Sequence, residues 1–184
     1  LQTCAREGLS ISDVVRANEE AARSRKDVDA YLDLIAKTME ECVEAGCNTD
    51  GVLPGSLRVK RRASNLFKSL GGRSSGPAQG DKWACSEDDP LRAMDWVNLW
   101  ALSVNEENAA GGMVVRAPTN GSAGIVAAVG RYLQWFCPEV ETKCGPAQRD
   151  YLTVAGAVGG IIKTNASVAG AEVGCQGEVG SAAA

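Results

Sequence analysis

"LRAMDWVNLWALSVNEENAAGG", residues 91–112, is the stretch whose period decides the class of fold. Leu91, Met94, Val97, Ala101 and Val104 recur at intervals of three or four until Gly111 and Gly112 end the pattern. That is the period of a helix with one apolar stripe, and it differs from the two-residue alternation of a half-buried strand. Working outward, the same spacing returns on both sides. In "LSISDVVRANEEAARS" (9–24), Ser10 stands as an N-cap with Asp13 three residues on, and Leu9 and Val14 are placed as a hydrophobic staple, which predicts a helix over 11–24. In "DVDAYLDLIAKTMEECVEAG" (27–46), Val28, Leu32, Ile35 and Met39 share a face and Gly46 has the position of a C-terminal cap. "SLRVKRRASNLFKSLGG" (56–72) predicts a short basic helix over 57–70.

Small residues take over past Gly112. "APTNGSAGIVAAVGRYLQWF" (117–136) reads as a tight loop at Pro118 to Gly121 feeding a helix whose Ala and Gly positions permit close packing. "YLTVAGAVGGIIK" (151–163) is read as a helix, with a short Val/Ile-rich strand as the competing reading. "GGRSSGPAQGDKWACSEDDP" (71–90) has no periodicity and is rich in Gly, Ser, Pro and Asp, so it is expected to be a flexible loop. The fold class expected is mainly α: one helical domain with glycine-rich loops.

The composition narrows the chemistry. The 184 residues are 45% hydrophobic, enough for a core, and their net charge of −4 with no long Lys/Arg tract argues against nucleic acid or an anionic membrane as partner. No apolar run approaches the ~20 residues that cross a bilayer, and "LQTCAREGLS" lacks the order of a signal peptide, so a cytoplasmic chain is expected. Seven cysteines (4, 42, 47, 85, 137, 144 and 175) are an odd, irregular set, which favours reduced thiols over a disulfide framework. Histidine is absent. A Ser-His-Asp or Cys-His nucleophile pair and a His-ligated zinc site are therefore excluded within the chain, and proton transfer falls to Asp, Glu, Lys, Tyr or Cys.

Four stretches carry chemistry. In "VNEENAAGG", Asn105, Glu106, Glu107 and Asn108 follow one another at a helix end; a solvated terminus is the plain alternative, but four successive residues at steps of about 100° cover opposite faces of a helix, so at least one polar group points inward or into a cleft. "APTNGSAG" offers the free backbone N–H groups of Thr119, Asn120, Gly121 and Ser122 to a carboxylate or phosphate, or is simply a turn. Lys163 in "KTNAS" is either a base or a surface lysine. In "GAEVGCQGEVG" (170–180), Gly174 and Gly177 leave the sulfur of Cys175 poorly shielded, which suits a bulky ligand such as an iron–sulfur cluster, with a small buried hydrophobe as the alternative. Cys42 and Cys47 have a plant-ferredoxin x4 spacing but no close x2 partner, and read as structural.

Three of these segments, "DGVLPGSLRVKRRA" (50–63), "MDWVNLWALSVNEENAAGGMVVRAPTNGSAGI" (94–125) and "NASVAGAEVGCQGEVG" (165–180), resemble in this order the catalytic alpha chain or domain of the iron–sulfur L-serine dehydratases. The resemblance implies a helical catalytic domain with an oxygen-sensitive [4Fe–4S] cluster, no pyridoxal phosphate, and conversion of L-serine to pyruvate and ammonia in the cytoplasm. It makes Cys175 the first cluster cysteine, the 119–122 loop the holder of the substrate carboxylate, and Glu106, Glu107, Asn108 and Lys163 candidates for base or ammonium contact, with no choice among the four. The remaining cluster cysteines and a regulatory beta domain or subunit are expected outside these residues, and a homo-oligomer is implied. Two alternatives stand beside it: a pyridoxal-phosphate amino-acid lyase built on Lys163, and a non-catalytic helical paralogue that binds a partner through its glycine-rich C-terminal surface.

Overall fold

The computed structural model describes residues 1–71, 91–137, 144–167 and 169–184. Among them are eight helices: α1 Gln2–Glu7, α2 Ile11–Glu20, α3 Arg25–Asn48, α4 Ala63–Ser69, α5 Arg92–Ala109, α6 Ala123–Phe136, α7 Cys144–Asn165 and α8 Gly170–Ala183. The described residues form no strand beyond one isolated bridge, Val52 to Lys60. The mainly α reading is correct, and 151–163 is helix rather than strand. The expected loop over 71–90 lies, apart from Gly71, outside the described residues.

The long helix α5 is the axis of the core, flanked by α3 and α4 on one side and α6 on the other. Trp96, Leu99, Trp100 and Val104 of α5 meet Cys42, Val43 and Cys47 of α3, Ala63 of α4, and Ala123, Ala127 and Ala128 of α6. An aromatic chain threads this layer: Phe67 to Trp96 at 6.4 Å between centroids, Trp96 to Trp100 at 5.9 Å, and Trp100 to Phe136 at 6.1 Å. Such tilted and edge-on pairs add to plain area burial. The expected stripe is corrected here. Leu91 and Met94 are 68% and 56% exposed, while Trp96 and Trp100 are buried. Because α5 is clasped from two sides, the bulky indoles select its inward faces, and Leu91 and Met94 fall outside them.

Gly46 is not a cap. α3 runs on to Asn48, and a Cβ at Gly46 would collide with the carbonyl oxygen of Ser103 and lie 2.7 Å from its Cα. The glycine lets the α3 and α5 backbones touch, and next to it Cys47 Sγ meets Ser103 Oγ at 3.2 Å. The basic helix expected over 57–70 begins only at Ala63; residues before it form an exposed turn in which Arg58 takes φ 49°. α2 is shorter than expected, ending at Glu20, but its start is as read: Ser10 and Asp13 close a reciprocal capping box.

A second layer, α7, lies across α2, α3 and α6. It is clamped by charges: Arg149 pairs with Asp33 at 2.7 Å and Asp29 at 3.0 Å, Arg16 also reaches Asp29, and Ser12 donates to Asp150 at 2.6 Å. The Arg149 guanidinium holds the Asp33 carboxyl below its ordinary range. α8 buries no residue and packs chiefly against α6. No helix of the described residues is long and apolar enough to cross a membrane.

Candidate active-site cleft

α5 ends where Gly111 turns with φ 82°, and an irregular segment leads from there to the 118–122 turn that starts α6. This segment brings the polar end of α5 against that turn. Asn120 Nδ2 donates to Asn108 Oδ1 at 2.7 Å. The turn holds itself by its hydroxyls: Ser122 Oγ donates to the Thr119 carbonyl at 2.9 Å, and Thr119 Oγ1 lies 3.3 Å from Ser122 Oγ. Ser122 is fully buried.

The other wall is α8. Gly174 takes φ 56° and ψ −158°, breaking the helix one residue before Cys175. A positive-φ torsion of this kind is open to glycine at little steric cost. The break angles Cys175 toward the 118–120 turn, and together Arg116, Pro118, Thr119, Asn120, Gly170, Val173, Gly174, Cys175 and Glu178 enclose an open cleft of about 380 Å³. Cys175 is an exposed free thiol. Glu178, one turn further on, crosses to the loop, where its Oε1 accepts the Gly121 N–H at 3.2 Å.

The four residues singled out as base candidates separate. Glu106 is the inward-pointing one, 4% exposed, and its carboxylate accepts the N–H groups of Arg62 at 2.7 Å and Ala63 at 3.3 Å, capping α4. Glu107 pairs with Arg61 at 2.5 Å, both side chains being largely buried. Asn108 reaches the cleft through Asn120. Lys163, in the last turn of α7, is exposed and does not line the cleft. Thr119, Asn120 and Cys175 do meet there, and Gly121 joins through its N–H to Glu178. Arg116 and Glu178 were not read from the sequence; the signal available was position, Glu178 standing three residues after the cysteine on one helical turn.

Cys175 is the only exposed cysteine among the described residues whose side chains are placed. Burial pushes the Cys42 thiol up to about 11, with Glu107 adding to the rise, and also raises Cys47. Both lie inside the core between α3 and α5, where no bulky group reaches their sulfurs. Among the described residues no three His, Cys, Asp or Glu side chains gather as a metal site. Cys175, exposed in the cleft wall, is the residue here that could hold one corner of a metal cluster.

The chain matches the family described as serine dehydratase alpha chain over residues 6–184. It is 46% identical to L-serine dehydratase of Haemophilus influenzae over 186 residues, 99% of this chain and 37% of that protein. To L-serine dehydratase 1 of Escherichia coli it is 48% identical over 182 residues, again 99% of this chain and 37% of the relative. L-serine dehydratase of Helicobacter pylori is 37% identical over 183 residues, 99% of this chain and 37% of the relative. The chain spans little more than a third of the length of these curated relatives.

Proposed function

This chain belongs to the serine dehydratase alpha chain family, and from that premise we propose that it forms part of an enzyme that eliminates water from L-serine to give pyruvate and ammonia. The reading rests on the cleft itself, which sets the Cys175 thiol opposite the Thr119–Ser122 turn. An amino acid seated there would have its carboxylate at the backbone N–H groups of the turn and its side chain toward Cys175.

Elimination requires removal of the Cα proton and departure of the β-hydroxyl as water, leaving 2-aminoacrylate; its imine tautomer then hydrolyses to pyruvate and ammonia. A [4Fe–4S] cluster, when bound, supplies a Lewis acid for the hydroxyl. In this chain Cys175 would hold one of its irons, and the resemblance places the other thiolates downstream, outside this chain. The Gly174 break turns the backbone one residue before Cys175, and the thiol there is exposed to the cleft.

The remaining residues position the substrate. Asn108 fixes the Asn120 side chain at the mouth of the turn, and the hydroxyls of Thr119 and Ser122 hold the turn from within. Glu106 and Glu107 brace the 61–63 segment against the end of α5, which keeps Asn108 in place. A soluble cytoplasmic enzyme completed by a beta domain or subunit, and assembled as a homo-oligomer, accords with this reading. The test is anaerobic assay of the full-length protein with L-serine: pyruvate formation that depends on iron supports the proposal, and turnover equally good after complete removal of iron, or no turnover by iron-loaded protein, refutes it.

A further inference from the structure

The cleft holds a carboxylate already. Glu178 Oε1 accepts the N–H of Gly121 at 3.2 Å, and Glu178 lies so directly over that residue that a Cβ at Gly121 would collide with its carboxyl group. Glu178 therefore occupies, from within the chain, the N–H proposed for the substrate carboxylate. Two carboxylates cannot share one N–H donor: each is acceptor-only when ionised, and like charges at contact distance repel strongly. Either the substrate carboxylate binds elsewhere or Glu178 gives way to it.

The position of Glu178 decides what giving way means. It lies three residues after Cys175 with helical backbone between, so its side chain projects over the same face and lines the same cleft. Displaced from Gly121, its carboxylate stays in the cleft beside the ligand that displaced it. In an α-amino acid the ammonium is attached one carbon from the carboxylate, so the group arriving next to Glu178 is a cation. We infer that Glu178 is the ammonium-recognising residue of this cleft: it exchanges the Gly121 N–H for the substrate ammonium when the substrate carboxylate takes its place at that N–H.

The inference rests on the proposed serine-binding role of the cleft and adds a specificity to it. A carboxylic acid without an α-ammonium must displace Glu178 without offering it a partner, whereas an amino acid supplies one. Of the described residues lining the cleft, Glu178 is the one carboxylate, so it offers an ammonium an opposite charge that Asn120 and Arg116 do not.

The experiment uses the full-length enzyme with Glu178→Gln, which keeps the shape and an acceptor oxygen but loses the charge. Two ligands differing only in the ammonium are compared: the KM of L-serine, and the Kd of 3-hydroxypropionate measured by titration calorimetry. Iron content and thermal midpoint serve as controls of cluster and fold. The expected result is a KM for L-serine raised tenfold or more and a Kd for 3-hydroxypropionate lowered severalfold, because the neutral amide competes less for the Gly121 N–H. An unchanged ratio of the two constants, whether both weaken together or neither moves, overturns the assignment and leaves Glu178 as a structural latch. Wild-type enzyme that turns over L-serine while the ratio stays unchanged sinks this inference alone; wild-type enzyme that neither binds nor turns over L-serine sinks the proposed function beneath it.

Discussion

The Glu106 carboxylate accepts the Arg62 backbone N–H at 2.7 Å, so a buried acid near the end of α5 serves as the N-terminal cap of α4, for which the chain supplies no side-chain cap of its own. An acid at a helix N-terminus is favoured both by the orphan N–H groups and by the helix dipole. Glu106→Ala should leave two N–H groups unsatisfied and cost about 1–3 kcal/mol, while Glu106→Gln, which keeps one acceptor, costs less. Urea unfolding of the full-length variants checks this, and an Ala variant as stable as wild type would remove the capping role.

Gly46→Ala should destabilise by at least about 1–3 kcal/mol, the usual penalty of overpacking, because the new methyl meets Ser103 backbone and neither α3 nor α5 can yield locally. Gly160→Ala is the control. Nothing lies within 4 Å of a Cβ there, so it should stabilise by roughly 0.5–1 kcal/mol through the lower entropy of the unfolded chain. Equal effects from the two would contradict the packing account.

Alkaline pH should weaken the fold through Cys42. Its thiol ionises near 9.0 when unfolded and at about 11 when folded, so between these values the folded state binds more protons and stability falls as pH rises. The contribution is fully present below pH 9, and its loss above pH 11 amounts to about 2–3 kcal/mol at most, because each pH unit between the two midpoints is worth about 1.4 kcal/mol. Tyr151, raised by burial to about 12, adds its own loss from pH 10 upward. Denaturation midpoints at pH 8 and pH 10 should differ more in wild type than in Cys42→Ala; an equal difference would show that the thiol does not titrate with unfolding.

Asn108→Ala and Asn120→Ala should act as one unit, since they share a hydrogen bond at 2.7 Å. Each is expected to raise the KM for L-serine about tenfold in the full-length enzyme with iron content intact, in line with roughly 1.5 kcal/mol for such a bond. The double variant should cost clearly less than the sum of the two. Strict additivity would mean that the pair does not position the turn jointly.

Helix period, the capping box at Ser10 and the turn at 118–121 could be read from sequence because each is a local signal of a few residues. Which face of α5 is buried could not, since Leu91 and Trp96 are both apolar and only the placement of α3, α4 and α6 chooses between them. Gly46 misled for a related reason. A glycine near a helix end reads as a cap, and its contact with Ser103, on a different helix, is tertiary. In the cleft, Asn120 and Cys175 were legible from their motifs, whereas Glu178 became visible only when its carboxylate was found on Gly121. The sequence required one of residues 105–108 to point inward without saying which; it is Glu106, and its partner there is backbone.

Whether the cleft between the 119–122 turn and α8 is built around a cluster thiolate turns on Cys175→Ala in the full-length enzyme, reconstituted with iron and sulfide under anaerobic conditions. Cys175 is exposed and α8 buries no residue, so the variant should fold with an unchanged thermal midpoint in the iron-free state. It is expected to lose bound iron together with the broad visible absorbance and with pyruvate formation from L-serine, while Cys42→Ala and Cys47→Ala keep all three. A Cys175→Ala enzyme with normal iron, normal absorbance and normal pyruvate formation would contradict the cluster reading of this cleft.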